Sequence, residues 1–288
     1  TDNNVLKLFT AAADPTRNRV YVAGILTRHI GVLDGATEKW IGTLDSGIEG
    51  NAHRYLYLDP AANFLYIVDK SHYQLRRIDL NTNAMAGPVA LPERVSEVVV
   101  DSTRARLYLT TPDAPTFRAF DGKTLQTIYT LAEMGSGAGA MSFDAKADVL
   151  YVLNMTPKRG GEIFRVDPKT GKVAGALAYN LPAGQRVRWL EYDAARARFF
   201  VGSERMMQVL DANGKEVRAF PLTRDRALES IAYDPAHERL VFLWLEHPSE
   251  GQVAGSGGHA QVYDVNTGKM TNEFSFGKKP HRLTLNPA

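Results

Sequence analysis

The stretch Asp14-Pro15-Thr16-Arg17-Asn18-Arg19-Val20-Tyr21-Val22 decides how the rest of the chain is read. An aspartate closes a run of small and apolar residues, a few turn-forming residues follow, and a β-branched and aromatic run begins. That is the pattern of two antiparallel strands joined by a tight turn. The phrase returns as Asp59-Pro60 before Leu65-Tyr66-Ile67, as Asp101 before Leu107-Tyr108-Leu109 and as Asp144 before Leu150-Tyr151-Val152. It returns again as Asp193 before Phe199-Phe200-Val201 and as Asp234-Pro235 before Leu240-Val241-Phe242, and Asn286-Pro287 makes a seventh mark. The marks fall about 41 to 52 residues apart, a period that fits repeated four-stranded blades better than helical solenoids.

A third strand in each repeat ends on another aspartate with a polar turn behind it, as in Asp121-Gly122-Lys123, Asp167-Pro168-Lys169-Thr170-Gly171 and Asp264-Val265-Asn266-Thr267-Gly268. There the carboxylate accepts backbone N–H groups while Gly or Asn supplies positive φ. One and three positions before each first aspartate the residues are apolar throughout, for example Leu58 and Leu56, Val100 and Val98, Tyr192 and Leu190. This alternation suits an innermost strand packed between neighbouring blades. The expected fold is therefore all-β, a β-propeller of four-stranded antiparallel blades forming a single domain over residues 1–288. Six repeats are complete and a seventh first strand, His281 to Leu285, follows; seven blades with the last incomplete is the favoured count, and six the alternative.

The composition narrows the function classes. Lys and Arg number 34 against 32 Asp and Glu, so the net charge of +2 offers no strong field for a phosphate backbone. The sequence has no cysteine, which excludes disulfides, thiolate-bound metal and thiol nucleophiles. No apolar run reaches the roughly 18 residues needed to cross a bilayer, so no membrane insertion is expected. No secretory signal opens the chain, which is consistent with one already removed. The glycine-rich stretches at residues 135–139 and 255–258 lie outside a strand-to-helix setting and lack a following Lys-Ser/Thr, so neither reads as a phosphate loop.

The Asp-Pro mark, the Arg19-Val20-Tyr21-Val22 strand and Val166-Asp167-Pro168-Lys169-Thr170-Gly171-Lys172 together resemble the YVTN-type, YncE-like propellers of bacteria. The resemblance extends over essentially the whole chain, and it implies an extracytoplasmic (periplasmic or secreted) protein without an established enzymatic activity. Through wider fold relatives it implies kinship with the propeller subunits of quinoprotein amine dehydrogenases. It transfers no catalytic residue.

In such a fold the loops between blades and those between second and third strands share one face. The first set places His53, Arg54, Tyr55, Glu97, Arg188, Trp189, Glu229, His281 and Arg282 at the channel mouth as candidate ligand-binding residues. Arginines beside Tyr55 and Trp189 suit an anionic or aromatic ligand, through bidentate hydrogen bonds and stacking; pairing with Glu97 or Glu229 is the bland alternative. His29, His53, His72, His247, His259 and His281 are weak metal candidates, since none has close ligand spacing. The reading that follows is a non-enzymatic propeller binding a small molecule, peptide or partner protein, with no cofactor expected. The alternatives are a metal-dependent lactonase or hydrolase, an oxidoreductase-associated propeller, and a binder of single-stranded nucleic acid.

Overall fold

The computed structural model of the chain describes residues 8–50, 52–91, 94–111, 116–131, 138–156, 160–180, 187–203, 205–222, 226–246 and 257–278. They fold into 24 strands arranged in six four-stranded antiparallel sheets. Blade 1 holds β1 (Leu8–Asp14), β2 (Arg19–Gly24), β3 (His29–Asp34) and β4 (Trp40–Asp45). Blade 2 holds β5 (Arg54–Asp59), β6 (Phe64–Asp69), β7 (Gln74–Asp79) and β8 (Met85–Ala90). Blade 3 holds β9 (Val98–Asp101), β10 (Arg106–Thr110), β11 (Phe117–Asp121) and β12 (Thr127–Leu131). Blade 4 holds β13 (Ala138–Asp144), β14 (Val149–Thr156), β15 (Gly160–Val166) and β16 (Val173–Tyr179). Blade 5 holds β17 (Val187–Asp193), β18 (Arg198–Ser203), β19 (Met206–Asp211) and β20 (Glu216–Pro221). Blade 6 holds β21 (Arg226–Asp234), β22 (Arg239–Glu246), β23 (Gly257–Asp264) and β24 (Met270–Lys278).

The count of six corrects the favoured seven. Six four-stranded sheets account for the described residues from Leu8 through Lys278. The expected strand at 281–285 lies outside the described residues. No helix among the described residues is long and apolar enough to cross a membrane. The chain divides into two compact units, Thr1–Pro92 with Arg226–Ala288 and Glu93–Asp225, so the first carries blades 1, 2 and 6 and the second blades 3, 4 and 5.

Within each unit the cores lie between successive sheets. Blades 1 and 2 bury Tyr21, Ile30, Ile48, Leu56, Leu65 and Ile67 against one another. Blades 3 and 4 join through Tyr108, Phe117, Met141 and Val152, and blades 4 and 5 through Tyr151, Ile163, Leu190, Phe199 and Val201. The first strands follow the expected alternation with a refinement. Three positions before the aspartate, Leu56, Val98, Met141, Leu190 and Ile231 are buried, whereas the residues one position before are half-buried in all six blades.

The aspartate itself organises the turn. Asp14 Oδ1 accepts the N–H groups of Thr16 and Arg17 at 3.0 and 3.2 Å, and Asp101 Oδ1 those of Thr103 and Arg104 at the same distances. The fourth residue after the aspartate then has positive φ in every blade: Asn18, Asn63, Ala105, Asp148, Ala197 and Glu238. Ala, Asp and Glu are tolerated there because the two capping bonds and the flanking strands fix the backbone.

A second use of the aspartate alternates along the chain. Arg17 joins Asp14 Oδ2 at 3.0 Å and reaches Asn63 and Asn81 of blade 2. Arg104 joins Asp101 Oδ2 at 2.7 Å and reaches Asp148 of blade 4, which Lys169 also meets at 3.1 Å. In blades 2 and 4 alanine stands at the arginine's place (Ala62, Ala147), and these blades supply the acceptor instead. Nearby, the Pro168 carbonyl accepts from Arg106 Nη1 at 3.0 Å and Tyr129 Oη at 2.8 Å, with Tyr108 Oη at 3.1 Å, so blade 4's β15–β16 turn is fastened to blade 3.

Two outcomes are expected. Arg104→Ala leaves the buried Asp101 carboxylate without its cation and should destabilise the protein by about 2–4 kcal/mol, read from urea unfolding. Ala197→Gly removes a left-handed Cβ from an exposed turn and should stabilise by up to about 1 kcal/mol in the same assay.

Candidate functional site

The first unit gathers several sequence-predicted residues around one buried carboxylate, Asp69, at the end of β6. Valine and isoleucine drive this strand into the core, and Phe64 through Asp69 are all buried. A carboxylate left there must be met by donors. Its Oδ1 accepts the N–H groups of Ser71 and His72 at 2.9 and 3.2 Å, and its Oδ2 lies 2.6 Å from His72 Nδ1. An ionised carboxylate only accepts, so the proton of that last bond sits on Nδ1, and the half-exposed imidazole is left with Nε2 as its distal nitrogen.

His53 is oriented by the next residue of the same hairpin. Ser71 Oγ accepts the His53 N–H at 2.9 Å and stands 3.1 Å from His53 Nδ1. The exposed ring packs on Phe9, with centroids 5.1 Å apart. Tyr55 meets the same Phe9 edge-on at 5.0 Å, and Lys70 Nζ stands 4.1 Å above the Tyr55 ring. The Lys70 N–H donates to the His53 carbonyl at 3.0 Å, which ties the hairpin to the entry of β5. Tyr73, exposed and at φ 52°, completes the loop, its carbonyl held by the Leu91 N–H at 2.7 Å. The result is a small platform in which His53 and Tyr55 pack on the buried Phe9, Lys70 covers the Tyr55 ring, and His72 is held by Asp69 on the same hairpin.

Arg54 has a different task from the ligand contact expected of it. The side chain is buried, and its guanidinium donates to the carbonyls of Gly24 at 2.7 Å, Ile48 at 2.8 Å and Gly50 at 3.2 Å, and to that of Thr27. These carbonyls belong to the β2–β3 loop and to the connection between blades 1 and 2. Burial pulls the guanidinium pKa down from its ordinary value, and the field of Asp69 opposes the shift. Arg54 is therefore the internal clamp beneath the platform, and it is held away from solvent.

The remaining predicted residues do not join this group. Glu229 is exposed on β21 of the same unit. Glu97, Arg188 and Trp189 belong to the second unit, where Arg188 is exposed and Trp189 stacks on Phe200 with centroids 6.5 Å apart. His247, His281 and Arg282 lie outside the described residues. The histidines go separate ways: His29 is exposed at the start of β3, and His259 on β23 has Nδ1 at 3.2 Å from Ser275 Oγ and 3.7 Å from Glu273 Oε1. That trio is no hydrolytic relay, because serine and acid approach the same imidazole nitrogen. Among the described residues no group of three or more His, Asp or Glu could hold a metal ion.

Sequence reasoning missed Asp69, Lys70, Ser71 and Phe9 on this platform. The signal was a carboxylate ending the apolar run Phe64-Leu65-Tyr66-Ile67-Val68 just before a histidine. It also missed Glu191 on β17, a charged residue at a first-strand position that is uncharged in the other blades.

No protein-family model and no curated protein sequence matches the chain. Among solved structures, hydrazine synthase of Kuenenia stuttgartiensis is similar, with a TM-score of 0.70 over 92% of this chain and 80% of that one, at 12% identity. The chain has a β-propeller fold. At that identity the likeness is one of architecture, and the blades described above are the blades of a propeller.

The clamp gives a direct expectation. Arg54→Met keeps much of the side-chain volume but strands four carbonyls, and should destabilise by about 3 kcal/mol or more, with increased hydrogen exchange in the 24–28 and 46–52 segments.

Proposed function

We propose that this propeller is a non-enzymatic, extracytoplasmic binding protein, and that the platform on blade 2 takes the anionic, ring-bearing part of a small molecule, peptide or partner protein. One observation carries the reading: His53 and Tyr55 both pack on the buried Phe9, Lys70 stands over the Tyr55 ring, and His72 on the same hairpin is oriented by Asp69, so donating groups and an aromatic ring share one loop. Such a set supplies charge-assisted hydrogen bonds to an anion while the rings cover its apolar part. The internal contacts of Asp69, Ser71 and Arg54 fix these groups before a ligand arrives, which lowers the entropy cost of binding. The extracytoplasmic part of the reading is supported by the Asp-Pro, Val-Tyr-Val and Thr-Gly-Lys phrases that resemble YVTN-type propellers.

A second reading draws on the Asp69–His72 pair. A buried carboxylate that fixes an exposed imidazole is the acid–base half of a hydrolytic triad. Among the described residues nothing is hydrogen-bonded to His72 Nε2, so binding stands ahead of catalysis.

Calorimetric titration with benzoate, 4-hydroxybenzoate and inorganic phosphate tests the proposal. An aromatic carboxylate should bind in preference to phosphate, and Lys70→Ala or His72→Ala should weaken it by about tenfold each, the worth of one charge-assisted bond. Equal affinity in the variants, or binding of none of the three probes, overturns the reading. Hydrolysis of p-nitrophenyl acetate that is abolished by His72→Ala would establish the second reading in its place.

A further inference from the structure

The first-strand aspartates hold their turns in one way, and a comparison of the blades exposes a site on blade 2. In every blade Oδ1 accepts the N–H of the residue three positions on: Arg17, Ala62, Arg104, Ala147, Arg196 and His237, at 3.0–3.3 Å. The residue after it has φ between 48° and 59° throughout. The turns therefore share a backbone, and the side chain at the third position sets out in the same direction in each.

Where that side chain carries an N–H donor, it turns back to the second carboxylate oxygen. Oδ2 of Asp14 meets Arg17 at 3.0 Å, that of Asp101 meets Arg104 at 2.7 Å, that of Asp193 meets Arg196 at 3.3 Å, and that of Asp234 meets His237 Nδ1 at 2.9 Å. Blades 2 and 4 have alanine there, so Asp59 and Asp144 receive nothing from that position. The two then differ. Asp144 keeps 7% of its surface exposed, whereas Asp59 is 0% exposed and its buried Oδ2 has no hydrogen-bond partner among the described residues.

Groups that answer this oxygen elsewhere do not answer it in blade 2. Tyr108 Oη donates to Asp101 Oδ2 at 3.1 Å in blade 3; Tyr66 stands at the same place relative to its aspartate but does not bond to Asp59 Oδ2. Arg17 of blade 1 comes to the turn and ends on Asn63 and Asn81. A carboxylate sealed from water with one oxygen unanswered is costly, and a cationic donor removes that cost.

We propose that the third position of the β5–β6 turn, between Asp59 Oδ2 and the small side chain of Ala62, is a binding site for an external guanidinium group. The other blades define the ligand, because the head that fits this turn is the planar one that Arg17, Arg104 and Arg196 place there. They define the entry as well: the Arg17 and Arg104 side chains are 20% and 19% exposed, so the path of their stems opens to solvent, and in blade 2 that path begins at the half-buried Ala62. A metal ion needs several oxygen ligands, whereas a hydrogen-bonding cation needs only the one oxygen seen here. The site is separate from the aromatic platform: Asp59 pairs with Phe64 at one end of the β5–β6 hairpin, and Arg54 with Asp69 at the other. A free small cation and the arginine side chain of a partner share this chemistry.

Thermal unfolding in ethylguanidinium chloride or N-acetylarginine amide, each against an equal concentration of choline chloride, tests the site. At roughly twentyfold above a millimolar Kd, ethylguanidinium should raise the midpoint by about 2 °C or more over choline. A rise with ethylguanidinium alone assigns the site to free small cations, and a rise with both probes extends it to arginine side chains. Ala62→Arg supplies the guanidinium from within the chain; it should unfold at a higher temperature than the wild type and no longer respond to either probe. Asp59→Asn, shown to be folded by circular dichroism, should lose the response too. A wild-type midpoint equal to that in choline with both probes, or a response that persists in Ala62→Arg, overturns the proposal.

Discussion

The fold depends on a carboxylate at the end of each first strand, buried in five of the six blades and half-buried as Asp234 in the sixth, that draws donors to itself. One oxygen gathers the N–H groups of the following turn, which fixes where the second strand begins and hence the register of the pair. In blades 1 and 3 the other oxygen binds an arginine that reaches into the next blade. A single acidic residue thus couples local turn geometry to the stacking of sheets. Its desolvation penalty enforces both, because releasing either partner exposes a charge to the apolar interior.

Much of this was legible in the sequence. Strands of period two, closed by aspartate at near-regular intervals, leave little choice of architecture, and the described first strands do end on Asp14, Asp59, Asp101, Asp144, Asp193 and Asp234. Blade number was less legible, since one additional aspartate-like mark looks the same whether or not three more strands follow it. The left-handed residues Ala105, Ala197 and Glu238 were invisible because their backbone is imposed by neighbours and their side chains do not advertise it.

The site shows the same boundary more sharply. A cationic residue between a histidine and a tyrosine at a loop reads as a ligand contact, whereas the fold packs His53 and Tyr55 on Phe9 and buries Arg54. Arg54 points inward because four carbonyls from two separated segments converge on it, a convergence with no counterpart in local sequence. Glu191 could be noticed as the charged member of its register, but its environment depends on Ser142 and Glu97, each about fifty or more residues away along the chain.

The alternation of arginine donors and acceptors bears on how such a chain grows. Arg17 and Arg104 reach out from blades 1 and 3, whereas Asn63 and Asp148 receive in blades 2 and 4. The heritable module is then a couplet of unlike sheets. Within each of these couplets, duplicating or deleting one sheet alone would set giver beside giver or taker beside taker, so lengthening of such a chain is expected to proceed by even steps.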